Sequence, residues 1–191
     1  LVQSVINSFG STAIAGYSAG MRIESLSIVP MLAMGNAMST FTAQNMGAGK
    51  IDRVKEGYRM CYVIVLTAGA VLCVMYQLAG GAFVSLFLDS GSSEAYSVGL
   101  SYVKFLSFFY SFIGLKASTD GLLRGAGDVT AFTVANLVNL AIRVSVTNLF
   151  APVYGIQVAW MAVPLGWAAN YVISFGWYLT GKWKKVRVIK K

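Results

Sequence analysis

The chain alternates long apolar runs with short clusters of charged residues. Residues 25–49, 60–88 and 144–181 contain no Asp, Glu, Lys or Arg. A helix of roughly 20 apolar residues crosses the hydrocarbon of a bilayer. The first two runs therefore each accommodate one span, and the third accommodates the end of one span, a turn and another span. The pattern predicts an all-α, polytopic transmembrane helix bundle of about five and a half spans. Their expected limits are 1–10 (partial), 16–45, 58–79, 94–117, 129–150 and 155–180.

Prolines and glycines punctuate these spans. Pro30 predicts a kink that neighbouring helices can tolerate by satisfying the freed carbonyl, and residues 11–13 predict an outer turn. Gly80 and Gly81 predict the end of the third helix. Residues 82–88 are apolar but too short to span, which indicates a short interfacial helix. Residues 90–93 then form an outer loop.

Two turns contain the sequence Gly-Ala-Gly beside a charged residue, at residues 46–57 and 123–128. Glycine adopts positive φ at helix ends without steric cost, so each turn is expected to join two antiparallel spans tightly. A phosphate-binding loop is disfavoured because the pattern Gly-x-x-x-x-Gly-Lys-Ser/Thr is absent. The residues expected to shape and orient the turns are Gly47, Gly49, Lys50, Arg124, Gly125, Gly127 and Asp128.

The distribution of charge orients the bundle. The 191 residues are 57% hydrophobic and 12% charged, with a net charge of +8. Twelve of the 15 Lys and Arg residues lie at 50–59, 116–124 and 182–191, which the positive-inside rule assigns to the cytoplasmic side. We therefore expect a multi-pass protein of the cell membrane with a cytoplasmic basic tail, residues 181–191, on anionic lipid. Basic residues confined to one membrane side argue against a nucleic-acid partner.

Residue content narrows the chemistry. There is no His, which excludes His-based metal sites and Ser-His-Asp catalysis, and enzymes need clustered acid, base or nucleophile groups that are not evident here. We expect no enzyme activity, no catalytic residue, no metal and no cofactor. Cys61 and Cys73 lie roughly 18 Å apart along one predicted helix, too far to pair. Because the chain begins at Leu1 without a complete first span, a fragment or truncated reading frame is expected.

Three ionisable residues fall inside predicted spans: Arg22, Glu24 and Arg143. Charges at membrane depth face a bundle interior and find partners. Glu24 and Arg143 are both expected in the outer half, which predicts an interhelical ion pair. The alternative is that Arg22 and Glu24 are hydrated at the outer headgroups. Asp120 and Asp128 are assigned to the cytoplasmic end.

Uncharged polar side chains also recur inside the spans. Asn136 and Asn139 share one helix face, and Tyr110 lies on a polar stripe of the fourth span. They could line a water-filled cavity, or they could be interhelical hydrogen bonds worth only about 0.6 kcal/mol each. The candidates for a substrate or ion pathway are therefore Arg22, Glu24, Tyr110, Asn136, Asn139 and Arg143.

Several motifs together resemble the multidrug and toxic compound extrusion (MATE) transporters. Residues 22–26, Pro30, Gly35, Ala37 and 44–53 resemble the second and third helices of one lobe. Residues 86–89, 123–128 and 181–185 resemble the segment after the third helix, the turn after the fourth, and the tail after the last. The order fits the C-terminal lobe, residues 1–191, with helix seven cut short.

This resemblance implies an antiporter with two six-helix lobes around a central cleft, in which a small organic cation leaves the cell as Na⁺ or H⁺ returns. The implied partners are membrane lipid, a missing N-terminal lobe and the substrate. Arg22, Glu24 and Tyr110 would contact substrate or gate the cleft. Some members carry acidic residues deep in helices seven and ten, whereas residues 1–10 and 105–115 have none here. That departure leaves open a coupling-ion site in the N-terminal lobe.

Two other functions remain open from the sequence. A lipid-linked oligosaccharide flippase of related fold would need a strongly cationic cleft, to which Arg22 and Arg143 supply only two charges. A non-transporting membrane scaffold or a membrane-embedded enzyme is the other class. The chain could also be inert by itself, because half a cleft cannot alternate.

Overall fold

The computed structural model describes residues 2–89 and 93–185, which form seven α-helices and two 3-10 turns. A short α1 and a 3-10 turn lead into α2, and Gly10, at φ +88°, makes the break between them. The outer turn expected at residues 11–13 is therefore wrong, since α2 already begins at Ser11. The helices are α1 Val2–Ile6, α2 Ser11–Gly47, α3 Ile51–Ser85, α4 Ser93–Ser107, α5 Tyr110–Gly125, α6 Val129–Tyr154 and α7 Gln157–Leu179; the 3-10 turns are Asn7–Phe9 and Lys182–Lys185.

The helices form a polytopic membrane bundle, which confirms the predicted fold class. Four helices, α2, α3, α6 and α7, are long and apolar enough to span a bilayer, and the bent pair α4 and α5 makes a fifth if it is counted as one span. Large apolar side chains lie exposed along them, including Leu78, Val153 and Val172. Such a surface suits hydrocarbon rather than water. Residues 90–92 and 186–191, which include most of the expected outer loop and the end of the basic tail, lie outside the described residues.

Among the described helices, α2 and α5 make the most extensive contact, and their backbones approach closely. Three glycines make it possible: Gly35 on α2 faces Ala117 and Gly121 on α5, and Gly125 lies against the backbone carbonyl of Ser39. Small residues let helix backbones approach in lipid, where van der Waals packing replaces the hydrophobic effect between helices. The second close pair is α6 with α7.

The expectation that Gly80 and Gly81 end the third helix is wrong. The α3 helix continues through both to Ser85, so no separate interfacial helix forms at residues 82–88. Their role is close packing: a Cβ on Gly81 would stand 2.6 Å from the Tyr96 hydroxyl oxygen, and one on Gly80 would stand 3.4 Å from a Leu100 methyl carbon. The two glycines therefore admit α4 to the side of α3.

The fourth predicted span, 94–117, is not one straight helix. It breaks after Ser107 into α4 and α5, which are bent by 52°, and α5 extends to Gly125. The cause is a side chain from another helix: Gln77 of α3 donates from Nε2 to the Lys104 carbonyl at 2.9 Å and to Ser107 Oγ at 2.9 Å. Insertion of a side chain into the backbone ladder is a known origin of sharp bends.

The two Gly-Ala-Gly turns have the same geometry. In the first, Lys50 N–H donates to Asn45 O at 2.8 Å and Gly49 has φ +72°; in the second, Asp128 N–H donates to Leu123 O at 2.9 Å and Gly127 has φ +83°. This six-to-one bond with a left-handed glycine is the Schellman ending of a helix. The turns are shorter than the expected loop 46–57, because α3 begins at Ile51. The first glycine of each turn, Gly47 or Gly125, is helical rather than left-handed.

Candidate functional site

Glu24 lies in an aromatic pocket between α2 and α4. The Tyr102 hydroxyl donates a hydrogen bond to Glu24 Oε2. The Tyr102 ring packs edge-on against Tyr17, with centroids 5.3 Å apart, and against Trp160, with centroids 5.6 Å apart. Gly20 makes room for it, since a Cβ there would collide with the Tyr102 ring. The carboxylate is thus held on a buried phenol rather than facing open water.

The expected ion pair between Glu24 and Arg143 is not formed. In the described ranges the ion pairs within 4 Å are Lys55–Asp52 and Lys116–Asp120. Arg143 is half-buried on α6, where its Cγ would stand 2.9 Å from a Cβ on Gly166 of α7. Because α6 packs along α7, the Arg143 guanidinium acts on Glu24 and Tyr17 only through the electrostatic field of a nearby charge. Arg143 is therefore an electrostatic neighbour of the Glu24 pocket without a direct contact.

Arg22 and Tyr110, the other two residues expected to act with Glu24, differ from it in exposure to solvent. Arg22 is exposed on α2. Tyr110, at the start of α5, is 0% exposed, and its hydroxyl has no hydrogen-bond partner among the described residues. Its ring lies 5.9 Å from that of Tyr76, whose hydroxyl is bonded to Ser27 Oγ at 2.6 Å. Tyr110 thus belongs to the interior behind the pocket rather than to an open wall.

A second polar cluster lies nearer the helix ends that carry the two Gly-Ala-Gly turns. Lys116 Nζ and Asp120 Oδ2, one turn apart on α5, form an ion pair at 3.1 Å, with side chains 14% and 6% exposed. Lys116 also donates to Asn136 Oδ1 of α6 at 3.0 Å, and Asn136 Nδ2 donates to Asp120 Oδ2 at 3.3 Å. Ser174 of α7 donates to Asp120 Oδ1 at 2.7 Å. One carboxylate therefore ties three helices together.

Two asparagines border this cluster. Asn170 of α7 is fully buried; its Oδ1 accepts from Ser174 Oγ at 3.4 Å, whereas its Nδ2 has no partner among the described residues. Asn139 lies one turn beyond Asn136, close to Gly166, and its Oδ1 is likewise buried without a partner in the described chain. Unpaired polar atoms at such depth are costly and call for a functional or solvent explanation.

The structure corrects the expectation that residues 116–124 form a loop, whereas the placement of Asp120 at the cytoplasmic end stays a prediction. Lys116 and Asp120 both lie inside α5, and Asp120 is buried between helices. The signal that could have revealed this is the apolar and small residues that continue on either side of them, residues 112–115 and 121–123, since a solvated loop would not keep that composition. A Lys and an Asp four residues apart can also neutralise each other within a helix.

A cavity of about 240 Å³ opens beside this pair, between α2, α5 and α6. Its walls include Asn36, Lys116, Asp120, Arg124, Phe132 and Asn136. Arg124, from the second Gly-Ala-Gly turn, is exposed; it donates to Asn36 Oδ1 at 2.8 Å, and its guanidinium lies 5.6 Å from the Phe132 ring centroid. Asp128 caps α6 by accepting from Ala131 N–H at 3.4 Å and accepts the Trp177 indole N–H at 2.6 Å. The second Gly-Ala-Gly turn is thus bonded to α2, α6 and α7.

Comparison with known proteins agrees with this architecture. The sequence profile of the MatE family matches residues 1–150. The chain belongs to the MatE family. The resemblance identified from the motifs is thereby confirmed.

Three similar proteins place the chain within longer MatE proteins. The probable multidrug resistance protein YpnP of Bacillus subtilis (strain 168) is 29% identical over 188 residues, which cover 98% of this chain and 42% of that protein. The probable multidrug resistance protein YoeA of the same organism is 24% identical over 192 residues, covering 99% and 41%. An inward-facing multidrug resistance MATE family transporter of the MOP superfamily superposes with a TM-score of 0.83 at 17% identity, covering 91% of this chain and 39% of that chain. The chain spans about two fifths of the length of these relatives.

Proposed function

We propose that residues 1–191 form the C-terminal lobe of a cation-coupled exporter of organic cations. A second lobe would complete the cleft, and Na⁺ or H⁺ moving inward would drive alternating access. The observation that carries this proposal is the family match together with relatives named as probable multidrug resistance proteins, each more than twice as long as this chain. Cytoplasmic orientation of the basic C-terminal tail follows from the positive-inside rule.

Glu24 is the proposed carboxylate for ion coupling in this lobe. A charge at membrane depth is expensive, and it is rarely kept unless it serves an ion or substrate pathway. Glu24 has no ion-pair partner within 4 Å in the described chain, and its hydrogen bond from Tyr102 joins α2 to α4. Binding of Na⁺ or H⁺ would neutralise it, weaken its charge-assisted bond to the phenol, and so alter the balance between two helix arrangements.

The proposed roles of the other candidates follow from their positions. Arg22, exposed on α2 two residues before Glu24, would face substrate or the second lobe. Arg143 would place a positive charge near the ionised Glu24 carboxylate. It would lose that electrostatic attraction when an ion neutralises Glu24. Asn136 would act from the interior by hydrogen bonding between helices, and Tyr110 and Asn139 would offer buried polar atoms there rather than contact substrate.

A transport assay with the full-length protein tests the role of Glu24. In everted membrane vesicles, Glu24→Gln should reduce export of a fluorescent organic cation driven by an imposed Na⁺ or proton gradient by at least about fivefold, the lower end of ordinary site-to-site coupling. Glu94→Gln is the matched control, because Glu94 lies in the first turn of α4 and is exposed. If Glu24→Gln exports as fast as Glu94→Gln at equal expression, Glu24 has no coupling role.

A further inference from the structure

The ion pair between Lys116 and Asp120 has the form of an occupied cation site. Lys116 Nζ touches two oxygens from different helices, Asp120 Oδ2 at 3.1 Å and Asn136 Oδ1 at 3.0 Å. A lysine ammonium is a compact point charge on a flexible stem. It therefore occupies here the position that a small inorganic cation would take between the same oxygens.

The surrounding donor set suits sodium. Oxygens from three helices converge on or next to the carboxylate: both Asp120 oxygens, Asn136 Oδ1, Ser174 Oγ and Asn170 Oδ1. Carboxylate, amide and hydroxyl oxygens are the ligands of hard cations. The described chain brings no group of three His, Cys, Asp or Glu residues together, so the site favours a monovalent ion over a transition metal.

Two further observations point to a ligand at this position. The first is Asn139 Oδ1, a buried acceptor on the helix that supplies Asn136, which lacks a hydrogen-bond partner within the described ranges. The second is the cavity of about 240 Å³ beside the pair, lined by α2, α5 and α6, which leaves room for the Lys116 side chain to move. A purely structural ion pair requires neither feature.

From this geometry we infer that Asp120, with Asn136, Ser174 and Asn170, forms a sodium-binding site whose resting occupant is the Lys116 ammonium. Sodium binds by displacing that ammonium into the cavity, and Lys116 returns when sodium leaves. The charge at the site stays balanced in both states, which avoids an isolated buried carboxylate. Arg124, which also lines the cavity, adds a positive charge that opposes sodium binding. We therefore expect sodium to stabilise the wild-type protein only at high concentration.

Only the biological role of this sodium site rests on the proposed membrane transport. Sodium binding itself can be tested without a transport assay. The purified protein in detergent is unfolded by heat, and exposure of Cys61 and Cys73, which are free and on α3, is followed with a thiol-reactive dye. NaCl is exchanged for choline chloride at constant ionic strength. A ligand that binds only the folded state raises the melting temperature with its concentration.

The melting temperature is expected to depend on sodium in a way that differs between the Lys116 and Asp120 variants. Lys116→Met should unfold at lower temperature than wild type in choline chloride, because it leaves Asp120 without its counter-charge, and sodium should restore it. If the tethered ammonium leaves the site free about one tenth of the time, its removal lowers the sodium concentration for half-maximal stabilisation about tenfold. Asp120→Asn and the double variant Lys116→Met/Asp120→Asn should show no sodium response once Glu24 is also replaced by Gln. The double variant should still fold, since it carries no unpaired charge.

Control variants separate this site from the proposed function. Lys104→Met removes a lysine of α4 that makes no ion pair within the described chain and should leave the wild-type sodium response unchanged. The variants are also measured with Glu24→Gln, so that sodium bound at Glu24 does not contribute to the response. The inference is overturned if Lys116→Met responds to sodium no better than wild type. It is also overturned if sodium restores Lys116→Met no better than choline does at the same ionic strength, or if the double variant still responds to sodium when Glu24 is also replaced by Gln. If the full-length wild-type protein shows no transport while Lys116→Met keeps its sodium response, the export proposal alone is refuted.

Discussion

The crossing of α2 and α5 makes a quantitative prediction about Gly121. A Cβ added there would stand 3.0 Å from the carbonyl carbon of Gly35 and 3.2 Å from its Cα, and still closer to the carbonyl oxygen. These are backbone atoms, so no side-chain rotation relieves the contact. The helices would have to separate by about 1 Å, and overpacking of this kind typically costs about 1–3 kcal/mol.

Alanine also gains helix propensity over glycine, by up to about 1 kcal/mol. We therefore expect Gly121→Ala to lower the free energy of unfolding by about 1–2 kcal/mol. Gly176 of α7 provides the matched control, because a Cβ at that helical position meets nothing within 4 Å. Gly176→Ala should be neutral or slightly stabilising.

The thiol-dye unfolding assay in detergent compares the two variants directly. Gly121→Ala should unfold at a lower temperature than wild type and Gly176→Ala should not. A larger residue, Gly121→Val, should be worse than alanine, since its methyl groups extend the same collision. The reasoning about the α2–α5 crossing would be refuted if Gly121→Ala and Gly176→Ala had the same melting temperature.

Two further predictions concern the ends of α5. Asp128→Ala removes the cap of α6 and the acceptor of the Trp177 indole N–H, and should lower the free energy of unfolding by about 1–2 kcal/mol. Asp128→Asn keeps an acceptor oxygen and should cost less. Equal melting temperatures for the two variants would contradict the capping role. Gln77→Leu removes the two interhelical hydrogen bonds at the α4–α5 bend and should cost about 1 kcal/mol, while Thr67→Val, whose hydroxyl bonds only to its own helix at Val63 O, serves as control and should be near neutral in the same melting assay.

The spans and the two Gly-Ala-Gly turns could be predicted from the sequence because their causes are local. Absence of charge over some twenty residues determines a span, and a glycine in the left-handed conformation ends a helix wherever it occurs in that pattern, as Gly49 and Gly127 do. Family membership followed from the order of such motifs along the chain. These features depend on neighbours in sequence, which the sequence displays.

The bend and the continuity of α3 could not be predicted because their causes are tertiary. Gln77 bends α4 away from α5 from a distance of 27 positions in the chain, and Gly80 and Gly81 remain helical because Tyr96 and Leu100 pack against them. A glycine pair has the same appearance whether it ends a helix or admits a neighbour. Only the packing partner distinguishes the two.

Ion pairing was mispredicted for the same reason. Glu24 and Arg143 have suitable depths, yet Tyr102 holds the carboxylate, and α6 leans on α7. Lys116 and Asp120 were hidden by their proximity to the basic turn at residues 123–128, so that a buried pair had the appearance of a solvated segment. Depth along a helix can be read from the sequence, but the side of the helix that meets a partner cannot.

The contrast between Glu24, which is half-buried, and Asp120, which is buried, bears on how an ion could drive this lobe. Glu24 and Asp120 lie near opposite ends of the α2–α5 crossing, since Glu24 precedes Gly35 by eleven positions, roughly 16 Å of helix, and Gly35 faces Gly121 beside Asp120. Asp120 is neutralised from within by Lys116, and therefore remains stable when no ion is bound. Glu24 has a phenol and a distant guanidinium instead, so that its environment changes most when an ion arrives. An ion that neutralises Glu24 and an ion that displaces Lys116 would thus act on the same helix crossing from its two ends, one by removing a charge and the other by releasing one.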